Sequence, residues 1–264
     1  MVDNFEFKER YDFYDLVRIM KALRGKGGCP WDAEQTHESI KKDFIEETYE
    51  VIEAINKKDP ELLCEELGDV LLQVAFHAEI EEEKNVFTMD EVTDGICKKL
   101  IERHPHVFGE IKVDGVDDVL DNWDTIKRKT KNQKTQAEAM HFVPRELPAL
   151  MRATKIQSKA KKAGFDWDNI EDVFAKLDEE IAELKEAYAS GDKKNVEEEL
   201  GDVLFTAVNL SRFLDCDAEE ALTASNDKFI SRYTKVENLA KERNIDMKNT
   251  PLEELDKLWE EIKD

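Results

Sequence analysis

The sequence predicts an all-α protein made of two tandem helical bundles, and three observations carry that expectation. Apolar residues recur at three- and four-residue intervals, and no stretch alternates with the period of two that marks a strand. Its 264 residues include only ten glycines and six prolines, so few turns interrupt the helices. One acidic pattern occurs twice. Glu179-Glu180-Ile181-Ala182-Glu183 is followed, after fifteen residues, by Glu199-Leu200-Gly201-Asp202-Val203-Leu204. Glu46-Glu47-Thr48-Tyr49-Glu50 is followed, after the same fifteen, by Glu66-Leu67-Gly68-Asp69-Val70-Leu71. Glu47 to Glu180 and Asp69 to Asp202 are both 133 residues apart. Self-similarity over that distance points to tandem copies of one unit.

Each element follows from local pattern. Leu16, Ile19, Met20 and Leu23 give a first amphipathic helix over Tyr11–Leu23, and the glycines of Arg24–Pro30 end it. Ser39–Ile55 reads as a helix whose apolar side is Ile45, Tyr49, Ile52 and Ile55, broken at Lys57-Lys58-Asp59-Pro60. A second long helix, Glu61–Glu83, is expected to bury Leu63, Leu67, Val70, Leu71 and Val74. A third spans Asp90–Glu102 and stops at His104-Pro105-His106. Glu110–Val116 is loop-like, Val119–Lys129 a short helix around Trp123, and Lys131–Met140 polar. Pro144 and Pro148 precede a new helix, Ala149–Lys162, where the series begins again. The expected organisation is an N-terminal domain over 1–130, a linker over 131–148 and a C-terminal domain over 149–264. The repeat reaches past the acids: Gly28-Cys29-Pro30-Trp31-Asp32 matches Gly164-Phe165-Asp166-Trp167-Asp168, Lys99 and Arg103 match Lys228 and Arg232, and Trp123 matches Trp259.

Bulk properties narrow the function. A net charge of −23 argues against nucleic acid as a direct partner, because phosphate neutralisation needs a basic surface. An acidic protein binds a polyphosphate when metal ions mediate. Cys29, Cys64, Cys97 and Cys216 form no C-x-x-C pair, which suits reduced thiols. Met1–Arg10 is not a signal peptide, and no apolar run approaches the ~18 residues a membrane helix needs. A cytoplasmic protein without membrane contact is expected.

The acids carry the chemistry. Residues three and four apart share a helix face, so Glu180 pairs with Glu183 and Glu199 with Asp202. A short hairpin between the helices brings the pairs together, where four carboxylates repel unless a cation joins them. The second copy has no histidine and Cys216 lies outside the motifs, so the donors are all oxygen. Such a set favours a hard ion, Mg²⁺ or Mn²⁺. Glu47, Glu50, Glu66 and Asp69 are the equivalent set in the first copy. A lone E-E-x-x-E is most often a solvated helix face. Two copies at one spacing weigh against that, as does Asp202 set before Val203, Leu204 and Phe205. Lys228 and Arg232, four apart, present one cationic face that suits phosphate or a plain surface pair. Trp259 is either a base-stacking or a core tryptophan. Trp31 and Trp167 read as packing residues, with Asp32 or Asp168 capping the next helix. The run Lys127, Arg128, Lys129, Lys131 reads as a solvated linker, and the five histidines show no ligand spacing.

These motifs resemble a known family. E-E-x-x-E followed by E-x-x-D is similar to the signature of the MazG nucleoside triphosphate pyrophosphohydrolases. G-G-C-P-W-D, R-H-P-H-V-F, P-A-L-M-R-A and G-F-D-W extend the likeness to the two-domain bacterial members over almost the whole chain. The resemblance implies Mg²⁺-dependent hydrolysis of NTPs and dNTPs to the monophosphate and pyrophosphate by a homodimer of all-α units. It implies metal ligation by Glu180, Glu183, Glu199 and Asp202, with Glu179 among the catalytic acids. Nucleotide contacts carry over to Lys176, Glu179, Glu198, Lys228, Arg232 and Trp259. Asn195 stands where a relative has lysine, with Lys194 beside it. The first copy keeps Glu47, Glu50, Glu66, Asp69, Lys99 and Arg103, so its site is not visibly dead. Two rivals share the acids: a di-iron bundle, which lacks the Glu-x-x-His pairs, and a triphosphate sensor that binds without turnover.

Overall fold

In the computed structural model, residues 5–263 are described apart from 117, 120–121, 124–125 and 127–134, and every regular element among them is a helix. The chain divides into two compact units, Met1–Lys127 and Arg128–Asp264.

The first unit starts with α1 (Phe13–Arg24), opened by a capping box in which Asp12 accepts from the Asp15 backbone and Asp15 from that of Asp12. Pro30 then starts a short α2 (Pro30–Glu34), which the glycine-rich composition had hidden. Thr36 and Ser39 form the box that opens α3 (His37–Lys57). The chain reverses through Lys58, left-handed at φ 55°, and Asp59 caps α4 (Pro60–Glu83). Helices α5 (Met89–Arg103) and α6 (Pro105–Phe108) follow. Its core is Met20, Ile40, Phe76 and Ile80, with Leu23 and Leu72 against them.

That core corrects one expectation. Leu67 is 51% and Leu71 37% exposed, and Ile45, Tyr49, Ile52 and Ile55 are exposed as well. The physical reason lies in where α1 sits. Met20 and Leu23 cover α4 at Leu72, Phe76 and Ile80, which share one face at four-residue spacing, whereas Leu67 and Leu71, also four apart, lie on another face of the helix. Periodicity identified the apolar stripe, but among the described residues these side chains stay exposed.

In the second unit a short helix, α7 (Gln136–His141), forms within the stretch read as linker, with a Thr135–Glu138 capping box and Ala139 buried. It packs against α8 (Ala149–Lys162). Then come α9 (Ile170–Ser190), α10 (Lys193–Phe213), α11 (Ala218–Glu242) and α12 (Leu252–Glu261). Asn169 caps α9, as Thr36 caps α3, so neither Asp168 nor Asp32 does the capping expected of them. Gly191, at φ 75°, ends α9 in the left-handed conformation glycine adopts without penalty, and Asp192 caps α10. Val236, Ala240 and Leu258 form a core where α11 meets α12. The basic run Lys127, Arg128, Lys129, Lys131 lies outside the described residues, as does most of the helix expected over Val119–Lys129. Among the described residues no helix is long and apolar enough to cross a membrane.

Candidate metal centre

Helices α9 and α10 are joined by Gly191 and Asp192 alone and pack along each other as an antiparallel hairpin. That hairpin brings Glu180 of α9 to Glu199 and Asp202 of α10. One carboxylate oxygen from each lies within 4.8 Å of the other two. Glu180 is buried, 6% exposed, and Glu199 half-buried. Asp202 is exposed, which corrects the expectation that its apolar neighbours would take it inside: Leu204 is itself 52% and Phe205 41% exposed. Lys176, one turn before Glu180, places its ammonium 2.8 Å from Glu179 and 2.9 Å from Glu180. These hydrogen bonds, Glu179's first, hold the lysine far above its usual pKa. Glu183 stands outside the three-acid cluster, with the Glu180 carboxylate close enough to act on it. Loss of water raises its pKa, Lys176 opposes this, and Glu180 and Glu199 push it further up.

The first unit repeats the arrangement. Glu47, Glu66 and Asp69, all half-buried, bring one oxygen each within 4.8 Å of the others, from α3 and α4. Glu50 lies beside them, its carboxylate close enough to act on both Glu47 and Glu66. Glu47 is raised by desolvation and then by Asp69, and Glu66 by desolvation and then by Glu50. Both clusters fit a hard divalent ion: three carboxylate oxygens converge, with no nitrogen or sulfur donor among them.

Neighbouring helices brace the second hairpin through residues that sequence reasoning missed. Arg212 of α10 pairs with Asp166 of the Gly-Phe-Asp-Trp loop, donating from Nη1 to Oδ2 at 2.9 Å and from Nη2 to Oδ1, and also donates to Asn209. Burial raises the Asp166 pKa, and the bonds and charge of Arg212 more than reverse it, leaving it low. One signal was available. Asp166 matches Pro30 in the other copy, so the acid is peculiar to this loop. From α8, Gln157 donates to the Phe205 carbonyl at 2.7 Å, tying α8 to α10.

The carried-over nucleotide contacts fall on several elements. Glu179 and Glu198 are exposed beside the cluster in sequence, and Asn195 is half-buried near the start of α10, its amide donating to the Asp192 cap. Lys228 is exposed and Arg232 half-buried on α11, and among the described residues neither forms an ion pair. Trp259 of α12 is half-buried against the α11–α12 core, its ring 5.4 Å from that of Phe229. No described contact links Lys228, Arg232 or Trp259 to the carboxylates.

Sequence comparison places both clusters in matched segments. The family model for the MazG nucleotide pyrophosphohydrolase domain matches residues 35–108 and 168–237. The nucleoside triphosphate pyrophosphohydrolase/pyrophosphatase MazG of Thermotoga maritima is 46% identical over 251 residues, 95% of each chain. The chain belongs to the MazG family. The nucleoside triphosphate pyrophosphohydrolase of Escherichia coli K12 is 42% identical over 94% of this chain and 95% of its own. An uncharacterized protein of Bacillus subtilis, YabN, is 46% identical over 96% of this chain and 52% of its own length. Within the MazG match lie the acids of both copies together with Lys176, Glu179, Glu198, Lys228 and Arg232. Trp259 lies beyond its end.

Proposed function

We propose that this chain hydrolyses nucleoside triphosphates and their deoxy forms to the monophosphate and pyrophosphate, using Mg²⁺ at the C-terminal cluster. The observation that carries the reading is the convergence of Glu180, Glu199 and Asp202 within the MazG match. Glu180, Glu183, Glu199 and Asp202 hold the ion, and Mn²⁺ suits the same oxygens. Bound there, the ion supplies positive charge to the phosphates and acidifies water. Glu179 or Glu180 orients the water that attacks phosphorus and accepts its proton. Lys176 holds both acids in place and offsets their charge. Lys228 and Arg232 bind the phosphates and stabilise charge on the departing pyrophosphate. Glu198 and Trp259 contact the nucleoside. The residues from 149 to 264 form the catalytic domain in this reading. Glu47, Glu50, Glu66 and Asp69 equip the N-terminal unit for the same ion.

Two further features belong to the proposal. The exposed apolar residues of both hairpins, Ile45, Tyr49 and Leu67 in one and Leu200, Leu204 and Phe205 in the other, support a homodimer that covers them. The four unpaired thiols suit a reducing compartment, and the cytoplasm is the location we assign.

Product analysis tests the activity. ATP, GTP, CTP, UTP and the deoxy forms are incubated with the protein in Mg²⁺ or in EDTA, and mono- and diphosphates are separated. Monophosphate with an equal yield of pyrophosphate, abolished by EDTA, is expected. Diphosphate with inorganic phosphate, or binding without turnover, contradicts the reading.

A further inference from the structure

A second feature of the C-terminal unit has the opposite charge from the carboxylate cluster. Met140, His141, Arg145, Arg152 and Ile156 line an open cleft of about 520 Å³ between the end of α7 and one face of α8. In a protein of net charge −23, three of these five side chains are basic or can become so, and none is acidic. Arg152 and Ile156 are four apart and so share one face of α8. Arg145 and His141 reach the cleft from the segment before that helix and are exposed, while Arg152 is half-buried. The Nε of Arg152 is buried and has no hydrogen-bond partner among the described residues. A buried donor on a charged group is costly to leave unanswered, and a guanidinium is a fork shaped for the paired oxygens of a phosphate or carboxylate.

Size and lining narrow the ligand. The volume falls in the range of sites that take small organic molecules, well beyond an inorganic anion. Met140 and Ile156 give an apolar wall beside the cations. We propose that this cleft is a second ligand site, for a small organic phosphate whose anionic end meets Arg152 and Arg145 and whose ring or carbon frame lies on Met140 and Ile156. The site shares no residue with the carboxylate cluster, and it absorbs the Arg152 of the Pro-Ala-Leu-Met-Arg-Ala motif, which the hydrolytic reading leaves without a role.

The test is calorimetric titration of the full chain in EDTA, which removes divalent ions, with AMP as the organic probe and inorganic phosphate as the comparison. Saturable AMP binding is expected, at least tenfold tighter than phosphate. It should weaken at least tenfold in Arg152→Gln and, independently of any folding defect at that half-buried position, in the exposed Arg145→Ala. Lys228→Ala, in the proposed substrate site, should leave it unchanged. Binding that survives both arginine variants, binding lost in Lys228→Ala, equal affinity for phosphate, or no binding of AMP overturns the proposal.

Discussion

Glu180, buried and bonded to Lys176, and Asp202, exposed at the other side of the cluster, do different work. Glu180 is fixed by its surroundings, whereas Asp202 is free to serve a ligand, so its loss should leave the fold intact. Replacing either by alanine is expected to lower turnover by ~10²–10³-fold, the scale on which removal of a single key catalytic group registers, with circular dichroism unchanged. The acids also repel one another. Glu47 and Glu66 are raised by desolvation and by neighbouring carboxylates, Asp69 among them. A raised carboxyl pKa favours folding at low pH and costs stability at neutral pH, where the folded state must hold the charges. Asp69→Asn is therefore expected to melt higher than the wild type in EDTA at pH 7. The gain should shrink as pH falls through the raised values and vanish below the ordinary carboxylate range. Thermal melts across pH check both the sign and the window. Arg212 is the opposite case, a pair whose breakage leaves a half-buried charge. Arg212→Ala is expected to cost about 2–4 kcal/mol in urea unfolding.

The helix hairpin is the scale at which each unit is built, and the two copies brace theirs with the charges exchanged. In the second unit the arginine is on the hairpin, Arg212, and the acid on the loop, Asp166. In the first, Arg24 of α1 donates to both oxygens of Glu83 on the hairpin, at 2.8 and 2.9 Å, and to the Asp32 carbonyl. Glu79 stands at the position equivalent to Arg212. The first hairpin has a titrating contact as well. His37, at the start of α3, bonds His77 of α4 at 2.7 Å through Nδ1 of each ring, and its Nε2 lies 2.6 Å from Glu81. Lys84 shares Glu81. Burial, then the charge of His37, lowers the His77 pKa below its usual 6.5. A lowered histidine pKa gives stability that is present above 6.5 and lost as pH falls toward the folded value. The wild type should thus lose more stability than His77→Gln between pH 7.5 and pH 5.5, a difference that differential scanning calorimetry reads.

Much of this element scale was legible in the residues. Periodicity and the proline pairs placed Ala149–Lys162 to the residue, and the doubled acidic pattern located both clusters. Other features were not. A 3.6-residue period names an apolar stripe without naming what covers it, so Leu67 and Leu71 were assigned to a core that α1 does not reach. Thr36 and Asn169 cap where Asp32 and Asp168 were expected, because Asp32 is taken up within α2 and Asn169, next to Asp168, suits the role equally well. Arg212–Asp166 and Arg24–Glu83 join residues 46 and 59 apart, and no local pattern reports such pairings.

At the scale of the whole molecule, two consequences follow from the doubled unit. The exposed apolar hairpin faces predict association. Leu204→Lys, which places a charge on one of them, should shift sedimentation from dimer toward monomer as the protein is diluted, with turnover falling in parallel. A monomeric wild type contradicts that assignment. The second consequence concerns where hydrolysis occurs, since both units hold three converging carboxylates. The direct measurement is the Mg²⁺-dependent release of pyrophosphate from ATP by wild type, Asp202→Ala and Asp69→Ala, side by side. Loss of turnover in Asp202→Ala with near wild-type rates in Asp69→Ala is the predicted result. Turnover that persists in Asp202→Ala contradicts the C-terminal cluster as the site of catalysis.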